Sequence, residues 1–234
     1  MRREFAQAAI CDTIVAVSEA EATVLRDLGC PDVRTIGHMR RQTPTERPFE
    51  RRSGLLFAGA IHRMDSPNYD GLCWFVEEVL PLVEKSLGWE TRLTIAGYTA
   101  AGVDLDRFRG HPRVTLRGAV PDLGPLYTSH RIFVAPTRFA AGVPYKVHEA
   151  ASFGLPVVAT DLLRRQLDWT AGHELLAADA TDPARFAAEI VRVYRDEALW
   201  TRLRDAALAR LARDNDAQNY AASVASVLGV AKIS

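Results

Sequence analysis

Residues 131–160 constrain the fold of this chain more than any other stretch. An apolar run at 132–135 leads into a loop that carries Arg138 and Gly142, and a short helical segment then runs from Pro144 towards a second apolar run. The order strand, loop, helix, strand is typical of a parallel α/β sheet, because parallel strands need a crossover connection. In such sheets, phosphorylated ligands bind where a cationic loop leads from the carboxyl end of a strand into a helix.

The residue types at this turn favour an anion. Gly142 lets the backbone approach a ligand closely, and Pro144 suits the first helical turn because its missing N–H would have no partner there. The free N–H groups of that turn and the helix dipole attract negative charge. Lys146 and Arg138 would bring full positive charge to the same place.

Lys146 and Glu149 are three residues apart and therefore share one face of the predicted helix. One interpretation is a solvated ion pair, which contributes only a few tenths of a kcal/mol. The other is a carboxylate beside a phosphate site, which would accept hydrogen bonds from a neighbouring diol such as a ribose. The glycine and proline before the helix, and the Gly-Leu-Pro-Val-Val sequence after it, favour the second interpretation.

Strand and helix patterns alternate along the chain from Leu55 onward. The pattern predicts strands near 54–58, 92–97, 114–118, 131–135, 156–160 and 173–177. It predicts helices near 69–87, 102–108, 122–129, 144–153, 162–169, 182–195, 197–213 and 216–228. Such alternation indicates a parallel sheet with right-handed crossovers.

The helix predicted at 69–87 has an apolar face. Its spacing places four apolar side chains on one side, namely Leu72, Phe75, Val79 and Leu82. Pro81 lies inside this helix and should kink it, because proline has no N–H to donate and its ring clashes with the preceding turn.

The first forty residues predict a separate βαβ unit. Residues 2–10 have the pattern of a helix end, 13–17 and 33–36 that of strands. Between the strands, Ser18 should cap a helix, with Glu21 completing a capping box. Two strands make an incomplete sheet, which exposes an edge and apolar surface. We therefore expect this unit to pack on the C-terminal helices, or to pair with another copy or another chain.

Five segments, in the expected order, resemble the donor-binding half of family-four (group 1) retaining glycosyltransferases of the GT-B fold. The segments are Ser53–Ala60, Ser66–Gly71, Trp74-Phe75 with Leu80-Pro81, Val114–Asp122 with Leu126-Tyr127, and Gly142–Thr160. The resemblance as a whole extends over about residues 10–230. The resemblance implies an α/β fold: a Rossmann-like parallel sheet with helices on both faces, which is one half of a GT-B fold, plus a partial N-terminal βαβ unit and C-terminal helices.

The resemblance also implies roles for individual residues. Glu149 would bind the ribose hydroxyls of a nucleotide-sugar, and Lys146 and Arg138 would be catalytic by neutralising the diphosphate leaving group. Gly59 would let its loop approach the phosphates, and Arg63 would be a further phosphate cation. Donor binding would also involve the backbone at Gly118 and Val120, next to the base, and Gly142 and Val143.

The chain departs from the family pattern in two ways. The family has a Glu-x7-Glu pattern, but Ala141 stands eight residues before Glu149, so the donor sugar is not specified. The family also has a complete N-terminal acceptor domain. Here the expected domains are 1–40 (the tail of that domain), 41–53 (a linker), 54–213 (the donor-binding domain) and 214–234 (a helix that crosses back).

The second departure leaves several functions open. The expected function is hexosyl transfer from a nucleoside diphosphate sugar to an acceptor hydroxyl, weak or absent without an acceptor domain or partner chain. The alternatives are a non-catalytic nucleotide-sugar binding module and the donor subunit of a two-chain transferase. A sugar-nucleotide epimerase is disfavoured, because it would need ionisable groups from both domains at the sugar ring.

Composition and missing motifs exclude other classes. Lys and Arg number 29 and Asp and Glu number 29, so there is no basic field for nucleic acid. Three widely spaced cysteines form no C-x-x-C motif and suit a reducing cytoplasm. No apolar stretch has the length of a membrane span.

Neither a metal nor a cofactor is expected. His148-Glu149 begins like H-E-x-x-H, but Ser152 takes the place of the second histidine. The sequence has no G-x-x-x-x-G-K-[ST] motif, which a nucleoside triphosphatase would have, and no G-x-S-x-G motif, which would indicate a hydrolase. No G-x-G-x-x-G follows the strand at 54–58, which argues against a dinucleotide dehydrogenase.

Overall fold

The computed structural model describes residues 10–88, 91–140 and 142–229. Most of the helix end predicted at 2–10, and Ala141, lie outside the described residues. The chain divides into two compact units: the larger contains 42–140 and 144–210, and the smaller contains 1–41, 141–143 and 211–234. The domain limits expected from the sequence stay predictions.

The two units contain the following elements. The smaller unit has β1 (Ile14–Ala16), α1 (Glu19–Asp27) and β2 (Val33–Thr35). The strands of the larger unit are β3 (Leu55–Ala58), β4 (Leu93–Ala96), β5 (Val114–Gly118), β6 (Ile132–Ala135), β7 (Val157–Thr160) and β8 (Leu176–Ala178). Its helices are α2 (Pro67–Trp74), α3 (Leu80–Leu87), α4 (Asp106–Arg109), α5 (Gly124–Ser129), α6 (Tyr145–Ser152), α7 (Asp161–Leu167) and α8 (Pro183–Arg195). The chain continues through α9 (Glu197–Asp214) to α10 (Ala217–Leu228).

The larger unit is built on a six-stranded parallel sheet with the order β5-β4-β3-β6-β7-β8. Each strand lies within three residues of its predicted position, so the alternation predicted from the sequence is confirmed. The sheet is built outward from β3, first through β4 and β5 on one side and then through β6, β7 and β8 on the other, so its switch point lies between β3 and β6. In doubly wound sheets this switch point opens a crevice at the carboxyl ends of the strands, where ligands bind.

Burial on both faces of the sheet explains the apolar sequences of its strands. All residues of β3, β4, β6 and β7 are buried. Helices cover the sheet, and Trp74 of α2 meets Phe186 of α8 edge to face, with 5.4 Å between the ring centroids. This is the pattern that parallel sheets show when helices pack on both sides.

The apolar face predicted for the helix at 69–87 is wrong in its last turn. A π-helical turn at Phe75–Val79 separates α2 from α3, just before Pro81. Leu80 and Val83 are fully buried, whereas the predicted Leu82 is 37% exposed. Eleven residues make about three turns of a regular helix, so Val83 and not Leu82 continues the face that begins at Leu72.

Arg52 anchors the polar segment that leads into β3. Its side chain is fully buried. It donates to the carbonyl oxygens of Arg47, Tyr127 and His130 at 2.9, 3.0 and 3.3 Å, and its guanidinium lies 5.1 Å from the centroid of the Trp200 ring. Burial lowers the pKa of Arg52 to about 10.

In the smaller unit, β1 and β2 pair in parallel and α1 connects them. Ser18 caps α1 as predicted, since its Oγ accepts from the Glu21 N–H at 3.2 Å. Glu21 reaches back one residue further than in a capping box, and its Oε2 accepts from the Val17 N–H at 2.9 Å. The unit has apolar side chains at its surface, among them Val15, Val24 and Leu28.

Residues near the C-terminus contact the N-terminal segment within the smaller unit. Arg34 Nη1 donates to the Ser226 carbonyl oxygen at 2.6 Å, and Asn215 Nδ2 donates to the His38 carbonyl oxygen at 2.8 Å. Of the expected arrangements, contact with the C-terminal residues is therefore present as hydrogen bonds, although α10 has no buried residue. None of the described helices combines the length and apolarity needed to cross a bilayer.

Candidate functional site

The candidate site lies at the switch point of the larger unit. The loop after β3 begins with Gly59, and the loop after β6 begins with Pro136. β3 and β6 are hydrogen-bonded neighbours, so both loops leave the sheet side by side at its carboxyl edge. The helices that follow them, α2 and α6, bring polar side chains to the same place.

Lys146, on the first turn of α6, is the central cation of the site. Its Nζ donates to Asn68 Oδ1 in a short hydrogen bond and to Thr137 Oγ1 at 3.1 Å, and it lies 5.0 Å from the centroid of the Phe57 ring. Desolvation by burial lowers the pKa of Lys146 to about 8. Both described side chains that accept from Nζ are neutral, so neither offsets its positive charge.

Asn68, on α2, connects the two loops. Its Oδ1 accepts from Lys146, and its Nδ2 donates to the Ala60 carbonyl oxygen at 2.7 Å. A Cβ at Gly59 would lie 2.9 Å from that Nδ2, so the approach of Asn68 requires glycine there. Sequence reasoning gave Asn68 no role, although it lies in the Pro-Asn-Tyr-Asp-Gly segment that carries part of the resemblance.

Arg138 forms an ion pair that the sequence did not predict. Its Nε and Nη2 donate to the two carboxylate oxygens of Asp70, each at 2.8 Å. The Asp70 carboxylate raises the pKa of Arg138 further above its usual value. Arg138 therefore lies on the predicted loop, but its charge is paired with a carboxylate, unlike that of Lys146.

Glu149 lies on α6, one turn after Lys146, and its side chain is half-buried. Its Oε2 accepts from Tyr127 Oη at 3.2 Å. The Tyr127 ring is fully buried and stacks on Phe153, with 4.8 Å between centroids and 13° between the ring planes. The carboxylate thus accepts from a buried, stacked aromatic residue, and it lies on the same helix as Lys146.

A cavity of about 250 Å³ lies at the carboxyl ends of β3, β4 and β5. Gly59 and Gly118, both predicted to bind the donor, line it. Its other lining residues are Ile61, Ile95, Gly97, Thr99, Leu105, Arg109 and Leu116. Gly97 has a φ of +137°, and a Cβ there would lie 2.3 Å from the Gly59 carbonyl oxygen. Glycine at these strand ends keeps the cavity open to a ligand.

The other predicted residues are arranged differently. Arg63 is exposed, and its Nε donates to Asp65 at 2.8 Å, so it pairs locally. Val120 is half-buried in the segment after β5. Gly142, with a φ of +82°, and Val143 belong to the smaller unit, and their role stays a prediction. Pro144 is the N-cap of α6 and not part of its first turn, because the helix begins at Tyr145.

Two observations concern alternative chemistry. His148 is buried, with its ring centroid 5.5 Å from that of Trp169. Among residues 10–88, 91–140 and 142–229, no group of three or more histidine, cysteine, aspartate or glutamate side chains is arranged to hold a metal ion.

Comparison with known proteins identifies the family. Residues 52–196, more than half of the chain, match the family described as "Glycosyl transferases group 1". The chain belongs to the group 1 glycosyltransferases. The family resemblance read from the sequence is therefore confirmed. A comparison with curated proteins gave no match.

Several solved structures share the fold of this chain. TarM of S. aureus aligns with a TM-score of 0.81 at 14% identity, over 97% of this chain and 45% of its own. The pneumococcal O-GlcNAc transferase GtfA, in complex with UDP and GlcNAc, aligns with a TM-score of 0.75 at 18% identity, over 97% of this chain and 46% of its own. HepE of Anabaena, in complex with UDP and glucose, aligns with a TM-score of 0.73 at 15% identity, over 94% of this chain and 63% of its own.

These alignments establish the fold of this group 1 glycosyltransferase chain. The expected fold class, a Rossmann-like parallel sheet that forms one half of a GT-B fold, is confirmed. The chain spans about half the length of TarM and of GtfA.

Proposed function

We propose that this chain binds a nucleoside diphosphate sugar and supplies the donor half of a retaining, metal-independent hexosyl transfer to an acceptor hydroxyl. The observation that carries the proposal is the environment of Lys146, a desolvated ammonium at the switch point whose described acceptors, Asn68 and Thr137, are both neutral. A positive charge partly withdrawn from water in this way would be stabilised by an anion beside it. We further propose a cytoplasmic location, in keeping with three widely spaced cysteines that form no C-x-x-C motif.

Departure of the diphosphate is the step that this site would assist. When the bond between the sugar anomeric carbon and the diphosphate oxygen breaks, the electron pair and the negative charge stay on the diphosphate. Lys146 and the free N–H groups at the start of α6 would stabilise that charge by preorganised electrostatics. Arg138 would contribute less, because Asp70 already compensates its charge.

The remaining contacts would orient the nucleoside. Glu149, fixed by Tyr127, would accept from the two ribose hydroxyls. The glycine-lined cavity beside Gly59 and Gly118 would receive the adjoining part of the nucleoside, because it lies at the carboxyl ends of β3, β4 and β5. The acceptor hydroxyl and the base that takes its proton are not assigned to residues of this chain.

Two similar proteins support a uridine nucleotide as the first ligand to test. GtfA was crystallised with UDP and GlcNAc, and HepE with UDP and glucose. Because the alignment covers 46% of GtfA and 63% of HepE, we expect weak donor binding and little transfer by this chain alone. A GtfA/B complex is also among the similar structures, which keeps a two-chain transferase as the second candidate. The third is a non-catalytic nucleotide-sugar binding module.

Titration calorimetry with UDP and with GDP tests the site. Replacement of Lys146 by alanine should weaken binding of the preferred nucleotide about 10- to 100-fold, as expected for loss of a hydrogen bond to a charged group. Glu149→Ala should weaken it as well. Lys85→Ala, at an exposed position on α3, is the matched control and should bind as the wild type does. Equal binding by the wild type and both site variants would contradict the proposal.

Turnover separates the candidate functions. Incubation of the chain with an acceptor domain, a radiolabelled nucleotide-sugar and a chelator should give transfer with retention at the anomeric carbon. Binding without turnover would favour the non-catalytic module. Activity abolished by the chelator and restored by a divalent metal would contradict the metal-independent mechanism.

A further inference from the structure

We propose that Asn68 is a positioning residue, which holds the Lys146 ammonium towards the diphosphate site without neutralising it. This inference rests on the proposed function and deepens it. The three contacts that carry it join α2 to the loop and helix after β6: Asn68 with Lys146, Asp70 with Arg138, and Gly71 with Pro136.

Asn68 is itself held in place. Its amide nitrogen donates to the Ala60 carbonyl oxygen at 2.7 Å, so its amide oxygen points away from that loop. That oxygen is the acceptor for Lys146. A single side chain therefore fixes the loop after β3 and the lysine of α6 at the same time, across 78 positions of the chain.

The chemical difference between positions 68 and 70 determines how each cation is held. Asp70 binds Arg138 through both carboxylate oxygens and cancels its charge. Asn68 also accepts a hydrogen bond from Lys146, but its amide group carries no charge. A lysine freed from a counter-ion keeps its full attraction for an anionic ligand, whereas a paired one must first give up its partner.

The helix that carries both residues has a fixed position against the end of β6. A Cβ on Gly71 would lie 2.4 Å from the Pro136 carbonyl oxygen, so helix and strand end are in backbone contact there. Such close packing leaves little room for the Asn68 side chain to move relative to Lys146.

Within the described part of the chain, the charged and titratable groups on the elements next to Lys146 have contacts of their own. Its own helix carries Glu149, which accepts from Tyr127, and His148, whose ring packs on Trp169. The neighbouring loop and α2 carry Arg138 and Asp70, which pair with each other. β3 contributes the uncharged Phe57 ring. A new charge at position 68 would therefore act on Lys146 directly.

Replacement of Asn68 by aspartate is the decisive test, because it changes charge with almost no change of shape. The chain has three lysines, Lys85, Lys146 and Lys232. After reductive methylation with ¹³C, the Lys146 signal can be identified by its loss in Lys146→Ala and followed by NMR as a function of pH. In Asn68→Asp, the Lys146 signal should titrate at higher pH than in the wild type, and UDP affinity at pH 7.5 should fall at least fivefold.

The pH dependence of UDP affinity separates the two roles, because it would stay unchanged if Asn68 only stabilised the fold. In the wild type, affinity should decline above pH 8 as Lys146 loses its proton; in Asn68→Asp this decline should move to higher pH. Ser86→Asp, an exposed position near the end of α3, adds the same charge as a control and should leave both the Lys146 titration and the affinity unchanged.

The outcomes distinguish this inference from the proposed function. If Lys146→Ala binds UDP as the wild type does, the proposed function fails. If Lys146→Ala weakens binding but Asn68→Asp changes neither the titration nor the affinity, only the role of Asn68 is overturned. Should Asn68→Asp not fold, Asn68→Ala serves instead: it should lower UDP affinity severalfold without a new charge, and wild-type affinity would overturn the inference.

Discussion

Gly71 packs against Pro136 so closely that a Cβ on the glycine would lie 2.4 Å from the proline carbonyl oxygen. The contact seats α2 on the end of β6, directly beside the candidate site. Any side chain at position 71 would force helix and loop apart, because the atom that it meets belongs to the backbone.

Gly71→Ala should therefore destabilise the fold by about 2–4 kcal/mol through overpacking. Gly110→Ala is the matched control: Gly110 has a φ of −77°, and the nearest atom to an added Cβ is the Asp106 carbonyl oxygen at 3.5 Å. Urea unfolding of both variants measures the difference. Equal urea midpoints for the two variants would show that a Cβ fits at position 71, contrary to the structure.

The lowered pKa of Lys146 predicts a pH-dependent stability. The pKa falls from 10.5 to about 8 on folding, so between these values the unfolded chain binds a proton that the folded chain does not. The free energy of unfolding of the wild type should rise with pH through this window, relative to Lys146→Met, by up to about 3 kcal/mol. Chemical denaturation from pH 7.5 to 10 measures this, with Lys85→Met as the comparison. A gap between wild type and Lys146→Met that stays constant over this range would contradict the burial of the ammonium.

Arg52 should be important for stability although it lies in a polar segment. Arg52→Ala removes the donor from three carbonyl oxygens and the cation from the face of Trp200. Loss of these buried contacts should cost about 2–4 kcal/mol. The neighbouring Arg51 is exposed, and Arg51→Ala should cost less than about 0.5 kcal/mol. Thermal unfolding of the two variants provides the comparison, and similar midpoints would refute the assigned difference.

Tyr127→Phe tests whether the hydroxyl at Glu149 orients the carboxylate for ligand binding. The ring would keep its stacking on Phe153, so stability should change by less than about 1 kcal/mol. UDP affinity should fall about three- to tenfold, because Glu149 loses the donor that fixes it. Tyr220→Phe, on α10, is the control. Unchanged affinity in Tyr127→Phe would remove the hydroxyl from the site.

Local patterns were sufficient for the strands of the larger unit, whereas the helix predicted at 102–108 is a single turn at Asp106–Arg109. The strands at β6 and β7 are continuous apolar runs, because both of their faces are buried, and Gly154 marks the end of the helix between them. The Ser18 cap of α1 could also be predicted from the sequence, because a capping hydrogen bond joins residues three apart. Such features depend on neighbours within one turn of the chain, so a single sequence reveals them.

The π turn at Phe75–Val79 was not predicted from the sequence. Hydrophobic periodicity assumes a uniform helix, and nothing in the spacing of the apolar residues marks where that assumption ends. The choice of Leu82 was a separate error, because a regular helical period through Leu72 and Val79 continues to Val83, which is the buried residue.

The sequence by itself determined a parallel α/β sheet, its family, and the segments that carry Lys146 and Glu149. The tertiary structure decided how the cations are used. Asn68 meets Lys146 across 78 positions, and Asp70 meets Arg138 across 68. These pairs form because the crossover connections bring the carboxyl ends of β3 and β6 together, and strand order is not encoded in any local pattern. Only that arrangement distinguishes a cation held by a neutral amide from one already paired with a carboxylate.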